Sequence, residues 1–100
     1  MQMKAKEDQV IAMIEVICSY YGVKFGQLMS KYRGDNVAQA RHVAMYLAKE
    51  KTGLKYEPIA KLFKRDRTTV YYAWEKVKWM VETKYDNEIK NDIFNINVLI

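Results

Sequence analysis

The stretch F-K-R-D-R-T-T-V-Y-Y-A-W, residues 63–74, decides how this chain folds. It joins the end of one short segment with helically spaced apolar residues to the start of a longer one. Asp66 is placed to cap the longer segment, because an N-cap carboxylate accepts backbone N–H groups of the first helical turn. Beyond it, Val70, Trp74 and Val77 recur at helical spacing and predict one buried stripe. The stretch therefore predicts two helices joined by a tight turn.

The first turn of the longer helix is basic and polar. Arg67, Thr68, Tyr71 and Tyr72 fall outside the apolar stripe and are predicted to face outward. Arg and Thr at the start of a helix that follows a tight basic turn are typical of a helix-turn-helix, whose second helix enters the major groove of DNA. The pattern predicts one helix over residues 57–63 and another from Arg67 to about residue 83.

Positive charge is concentrated in the part of the chain that contains this motif. The 100 residues carry a net charge of +5. Residues 31–84 hold thirteen Lys and Arg against six Asp and Glu, a net +7, whereas residues 1–30 are neutral and residues 85–100 carry −2. A basic region can be an ordinary solvated face. Combined with a helix-turn-helix pattern, it favours a polyanionic partner.

Several classes of protein do not fit the sequence. The apolar content of 50% and the aromatic content of 13% argue against disorder, and the length suits one domain. Cys18 is the single cysteine, which excludes an internal disulfide, and His42 is the single histidine, which disfavours a metal site. No apolar run approaches a membrane span or signal peptide. We expect a cytoplasmic protein that is not an enzyme and uses no cofactor or small-molecule substrate.

The rest of the chain predicts further helices and an all-α, compact multi-helix domain with its core over about residues 7–84. After a frayed start at residues 1–6, helices are expected over 7–21 and within 23–29. A central helix follows from Val37, capped by Asp35 or Asn36 and stopped at Gly53. The tail favours a helix over about residues 87–94 with a less regular end, although Ile96 and its neighbours also alternate like a strand.

Five segments carry a resemblance to a known family. They are Y-Y-G-V (20–23), L-M-S-K (28–31), A-R-H-V-A-M-Y-L-A-K-E (40–50), T-G-L (52–54) and R-D-R-T-T-V (65–70). Over about residues 8–80 the chain resembles the C-terminal DNA-binding domain of the bacterial replication initiator DnaA. The resemblance implies an all-helical domain related to the Trp-repressor-like helix-turn-helix proteins, which binds double-stranded DNA at short asymmetric sites called DnaA boxes.

The resemblance also implies roles for individual residues. Arg33 matches the loop arginine that enters the minor groove, where a narrow A·T-rich groove attracts a guanidinium. The positions that match major-groove base contacts are Asp66, Arg67, Thr68 and Thr69. Those that match phosphate contacts are Arg41, His42 and Lys49. Further contacts to the DNA backbone are predicted from position and charge for Lys31, Lys64 and Arg65, and from its outward position for Tyr72.

The chain departs from the family pattern at three places. Arg67 stands where the family usually has His, and an Arg there can pair with guanine O6 and N7, which predicts a different preferred box. Lys64 alone replaces one or two glycines, which predicts a shorter and stiffer turn. Glu57 and Pro58 appear in inverted order. The sequence has no P-loop for ATP hydrolysis, so we expect a stand-alone binding domain without ATPase activity.

Two functions follow from different features. The motif and the basic middle predict sequence-specific binding of double-stranded DNA, in replication control or transcriptional regulation, in a bacterial nucleoid or for a phage or mobile element. The apolar tail, residues 86–100, predicts instead a module that contacts a replication initiator, a replisome component or a second copy of itself. Ile93, Ile96 and Leu99 are candidates for such a dimer seam.

Overall fold

The computed structural model describes the backbone of residues 2–34, 36–83 and 87–100, and the side chains of residues 5–34, 36–83 and 88–100. Asp35, one of the two predicted caps, lies outside the described residues. Across the described ranges the secondary structure is entirely helical, which confirms the predicted all-α class. The helices are α1 (Gln2–Tyr21), α2 (Phe25–Met29), α3 (Val37–Thr52), α4 (Tyr56–Phe63), α5 (Arg67–Thr83) and α6 (Asn87–Leu99).

Helix α3 lies at the centre and packs on α1, α2, α4 and α5. Ala40, Ala44 and Ala48 recur every four residues along it and are almost fully buried. Their small side chains allow neighbouring helices to approach closely. The helix ends at Gly53, whose φ of 71° is the left-handed conformation that favours glycine and whose N–H bonds the Lys49 carbonyl. The predicted central helix and its stop are therefore confirmed.

Helix α1 is longer than the sequence predicted. It begins at Gln2 rather than near residue 7, so the frayed start expected for residues 1–6 was wrong for residues 2–6. Residues 2–6 contain no Gly, Pro or β-branched residue, and good helix formers extend a helix whose later turns are already packed. Val10, Ile14 and Ile17 bury its inner face completely.

The helix-turn-helix consists of α4, a turn at residues 64–66 and α5. The turn depends on Lys64, which has a φ of 55° and donates its N–H to the carbonyls of Ala60 and Lys61. Arg65 N–H also bonds Ala60 O at 2.9 Å, so the carbonyls of Ala60 and Lys61 in the last turn of α4 are satisfied. A lysine therefore adopts the conformation that glycine usually adopts, and only three residues join the two helices.

The buried stripe of α5 is shifted from the predicted one. Val70, Ala73 and Val77 are buried, whereas Trp74 is only half-buried. Its indole Nε1–H donates to Glu50 Oε2 at 2.8 Å, so a polar partner at the edge of the domain holds the ring there. The wide indole lies across the rim of the core instead of inside it.

Helix α6 continues to Leu99, beyond the predicted end near residue 94, and excludes the strand alternative. Ile89, Ile93 and Ile96 recur at helical spacing and are buried. The predicted dimer seam was therefore wrong for Ile93 and Ile96, since both pack inside the domain, while Leu99 stays 61% exposed. A continuous helix is the conformation that buries all three isoleucines on one face.

Candidate nucleic-acid interface

The first turn of α5 presents four of the predicted base-contact residues to solvent. Asp66, Arg67, Thr68 and Thr69 are all exposed. The backbone carbonyl of Asp66 accepts from Thr69 N at 3.0 Å and Val70 N at 3.3 Å, so Asp66 is where the helix starts. Its carboxylate accepts no hydrogen bond from the part of the chain that the structure describes. The carboxylate is therefore available to a ligand rather than occupied as a cap.

A groove lined by cations runs beside this turn, between the loop after α2, helix α3 and the start of α5. Its volume is about 380 Å³. We call it the basic groove, and its lining comprises Lys31, Arg33, Ala38, Arg41, His42, Met45, Arg65 and Thr69. Six of the predicted contact residues, which are scattered over 39 positions of sequence from 31 to 69, thus meet at one surface. Among the residues that the structure describes, this lining contains no carboxylate, so the groove suits a phosphate chain.

Arg41 is buried in the floor of the basic groove, with 6% of its surface exposed. Its Nε donates to Leu28 O at 2.7 Å, and its Nη2 donates to Gln27 O at 3.1 Å and Tyr32 O at 2.9 Å. Burial, followed by the charges of Arg65 and Arg33, lowers the pKa of this guanidinium. Arg41 therefore holds the end of α2 and the following loop against α3, a role that the sequence did not reveal. Its contact with DNA phosphate stays a prediction.

The loop that carries Arg33 is fixed at a second point by the helix-turn-helix. Arg65, in the turn, donates a short hydrogen bond from Nη2 to Ser30 O. The Ser30 hydroxyl in turn donates to Gln27 O at 2.7 Å and accepts from Tyr32 N at 3.1 Å. Arg33 itself is exposed. The loop that carries the minor-groove candidate is thus linked by hydrogen bonds to the turn before the major-groove candidates.

His42 lies half-buried at the edge of the basic groove. Burial, together with the positive charges of Lys76, Arg41 and Arg33, lowers the pKa of His42 to about 4. The imidazole is therefore neutral at pH 7 and contributes a hydrogen-bonding group rather than a charge. Lys76 was not among the predicted contacts. It lies seven residues after Thr69, two turns further along the same flank of α5, and this spacing was the signal available in the sequence.

The remaining predicted backbone contacts, Lys49, Lys64 and Tyr72, are not among the lining residues of the basic groove. Lys64 is exposed. Lys49 does not line the basic groove, and its Nζ lies 4.7 Å from the centre of the Tyr56 ring, a cation–π contact. Tyr72 is 63% exposed on the outer face of α5.

An aromatic cluster on the other flank of α5 was missed in the sequence. We define it as Tyr56, Tyr71, Tyr72 and Trp74. The ring of Tyr71 lies 5.4 Å from that of Tyr56, 5.5 Å from that of Tyr72 and 6.4 Å from that of Trp74. A shallow recess of about 260 Å³ beside the cluster is lined by Tyr56, Arg67, Thr68 and Tyr71. The first turn of α5 therefore has a basic flank and an aromatic flank.

Other kinds of site find little support in the described ranges. No group of three His, Cys, Asp or Glu there is placed to hold a metal ion. Cys18 is buried, and burial raises the pKa of its thiol, with Glu15 adding to the effect, so the reactive thiolate is disfavoured. None of the helices in those ranges has the length and apolar character needed to cross a bilayer.

Comparison with known proteins places these features in one family. The family model described as "Bacterial dnaA protein helix-turn-helix" matches residues 10–77. Proteins named chromosomal replication initiator protein DnaA are similar to this chain. The one from Thermoanaerobacter sp. (strain X514) is 39% identical over 89 residues, which is 89% of this chain and 18% of that protein. The one from Onion yellows phytoplasma (strain OY-M) is 31% identical over 80 residues, 80% of this chain and 16% of that protein. The chain thus spans under a fifth of the length of these relatives.

Proposed function

The chain belongs to the bacterial dnaA protein helix-turn-helix family, whose membership implies DNA binding, and we propose from this premise that it binds double-stranded DNA sequence-specifically at DnaA-box-like sites. The observation that supports the proposal most directly is the basic groove beside the exposed first turn of α5. A helix-turn-helix reads bases with that turn, while neighbouring cations hold the phosphates.

In this proposal the first turn of α5 enters the major groove. The Asp66 carboxylate accepts a hydrogen bond from cytosine N4, and the Arg67 guanidinium donates to guanine O6 and N7. The methyl groups of Thr68 and Thr69 contact base edges or thymine methyls. The exposure of all four side chains supports this assignment.

The phosphates of one strand follow the basic groove, and Arg33 enters the adjacent minor groove. Arg41 and Arg65 hold the Arg33 loop by hydrogen bonds to its flanking carbonyls, so this loop loses little freedom on binding. Lys31, Lys64 and Lys76 add positive charge around the site. Because such contacts release counterions, affinity falls steeply with salt.

The cellular role that we propose follows from the names of the relatives. These are called chromosomal replication initiators. A DNA-binding domain of this family that occupies initiator boxes acts in replication control or in the regulation of transcription. It works in the bacterial nucleoid, for a chromosome or for a phage or mobile element.

Selection of bound duplexes from a random pool tests the proposal. We expect one enriched site, bound at least tenfold more tightly than its scrambled duplex at 150 mM salt, roughly in line with the specificity of single DNA-binding modules. Arg33→Ala is expected to weaken binding to that site by ~1–3 kcal/mol. Lys51→Ala is the matched control, since Lys51 is exposed at the end of α3 and lies outside the basic groove. Equal affinity for selected and scrambled duplexes would refute sequence-specific binding.

A second candidate function rests on the outer face of α6. Phe94, Val98 and Leu99 are 69%, 72% and 61% exposed, and together they form an apolar patch that suits a protein partner or a second copy. Deletion of residues 86–100 is a poor test, because it would remove the buried side chains of Ile89 and Ile96 and expose the core residues that they pack against. The double variant Phe94→Ser, Val98→Ser leaves the inner face intact. Sedimentation of parent and variant at increasing concentration tests self-association, and a monomer at every concentration for both would refute it.

A further inference from the structure

His42 lies where two cation-lined recesses meet. It lines the basic groove together with Ala38, and both residues also line a smaller recess of about 130 Å³ between α3, α5 and α6. The polar residues of this smaller recess are Gln39, His42 and Lys76, and the rest of its lining is apolar. The imidazole therefore stands between the cations of the basic groove on one side and Lys76 on the other.

The charged residues that line the two recesses are all positive in the part of the chain that the structure describes. They come from the loop after α2, from α3, from the turn and from α5, and they are Lys31, Arg33, Arg41, Arg65 and Lys76. Helix α6 contributes the apolar Ile89, and its buried Asp92 carboxylate is bonded to Gln39 and to two tyrosines of α1. The charges that act on His42 therefore oppose its protonation.

The imidazole is neutral in the free protein and yet open to a ligand. Burial and the charges of Lys76, Arg41 and Arg33 lower the pKa of His42 to about 4. No hydrogen bond to the imidazole is formed within the described ranges, and no buried polar side-chain atom there lacks a partner, so its ring nitrogens keep contact with solvent. A phosphate oxygen that enters the groove can therefore reach the ring.

A bound phosphate reverses the electrostatic environment of His42. In the proposed complex the phosphates of one DNA strand follow the basic groove, so negative charge lies beside the cations that repel a proton in the free protein. An opposite charge close to a titratable group favours its charged form. The protonated ring donates from both nitrogens, and its bond to a phosphate oxygen is charge-assisted. Both effects raise the pKa of His42 in the complex.

From this arrangement we propose that His42 takes up a proton when a DNA phosphate occupies the basic groove, so that the chain binds duplex DNA more tightly as the pH falls. The inference rests on the proposed binding of duplex DNA and adds a pH dependence to it. A group that binds a proton more strongly in the complex than in the free protein raises the affinity as pH drops through its pKa in the complex. His42 is the single histidine of the chain, and histidine is the side chain whose ordinary pKa lies near neutrality.

Competition binding to the selected duplex at about pH 7.5 and about pH 5.5, at one fixed salt concentration, tests the proposal. We expect the Kd of the parent to fall by roughly threefold or more over this range, since each unit by which the pKa rises contributes up to tenfold. His42→Gln is the matched control. Glutamine keeps a hydrogen-bonding side chain that does not titrate, so the Kd of this variant is expected to stay constant.

A second measurement uses the parent chain alone. The single histidine gives one set of imidazole C–H signals, so NMR follows its titration without assignment. We expect these signals to titrate at a higher pH in the presence of the selected duplex than in its absence. If His42→Gln does not fold, this titration decides the question.

The outcomes separate this inference from the proposed function. If the selected duplex is bound specifically, but parent and His42→Gln show the same pH dependence or the histidine signals titrate at the same pH with and without duplex, the proton uptake is refuted and DNA binding stands. If no duplex is selected at all, the proposed function itself fails. Thermal melting at both pH values shows that parent and variant are folded, because protonation of His42 in the free protein also lowers its stability.

Discussion

Replacement of Arg41 by lysine separates a positioning role from a simple phosphate contact. Lysine keeps the positive charge but cannot donate to three carbonyls in the fork geometry of the guanidinium. The substitution removes three hydrogen bonds, from Nε to Leu28 O at 2.7 Å and from Nη2 to Gln27 O and Tyr32 O. The first of these is buried. A hydrogen bond with a charged partner contributes ~1.5–3 kcal/mol, and the two partly solvated bonds contribute less. We therefore expect Arg41→Lys to lower the free energy of unfolding by about 2–4 kcal/mol.

Two assays measure the consequences of these substitutions, one for stability and one for DNA binding. Urea unfolding followed by circular dichroism measures the stability loss. Competition binding of Arg41→Lys, Arg33→Ala and the double variant to the selected duplex measures their coupling. If Arg41 positions the loop of Arg33, the two losses of affinity are strongly non-additive. If Arg41→Lys instead binds like the parent and unfolds at the same urea concentration, the positioning role is refuted and Arg41 is a phosphate contact alone.

Three further predictions concern other parts of the fold. Asp92→Ala removes the acceptor for Tyr20 Oη at 2.7 Å and Tyr21 Oη at 2.8 Å, and we expect a loss of about 2–4 kcal/mol of unfolding free energy by urea titration, with a smaller loss for Asp92→Asn. His42 has a folded pKa of about 4, below its ordinary value of 6.5, so the unfolded state binds more protons and stability falls as pH drops from 6.5 to 4. His42→Gln should reduce this slope in melts across that range, and an unchanged slope would contradict the assignment. Lys64→Gly relieves the left-handed backbone and is expected to stabilise the fold by about 0.5–1 kcal/mol while it reduces the salt dependence of DNA binding.

The parts of the fold that sequence predicts well are those with a strong local pattern. The start of α5 follows from the spacing of the apolar residues after it, although the Asp66 carboxylate does not cap the helix as predicted. The end of α3 follows from Gly53. The length of α6 did not follow from its pattern, because its asparagines weaken a helix locally. It is stabilised from a distance, through the bonds of Asp92 to Tyr20 and Tyr21 in α1 and to Gln39 in α3.

The same distinction applies to the candidate interface. The exposure of the residues in the first turn of α5 was predicted from spacing alone, because helical spacing decides which side chains face away from the core. The burial of Arg41 was not predicted, since its carbonyl partners at residues 27, 28 and 32 belong to the short helix α2 and to the loop after it, whose positions the local pattern does not define. The aromatic cluster was missed for a related reason. Tyr56 lies in α4 and Tyr71 in α5, and only the tight turn between the helices brings the rings to 5.4 Å.

The turn therefore determines how the two flanks of α5 act together. Arg65, one residue after Lys64, bonds Ser30 O and so fixes the distance between the Arg33 loop and the first turn of α5. The same turn sets the angle of α4, which brings Tyr56 against Tyr71 on the other flank. A change in the turn's conformation would shift the basic groove and the aromatic recess together. We infer that an inserted residue between Phe63 and Arg65 would weaken contacts on both flanks, whereas a side-chain change on one flank would leave the other intact.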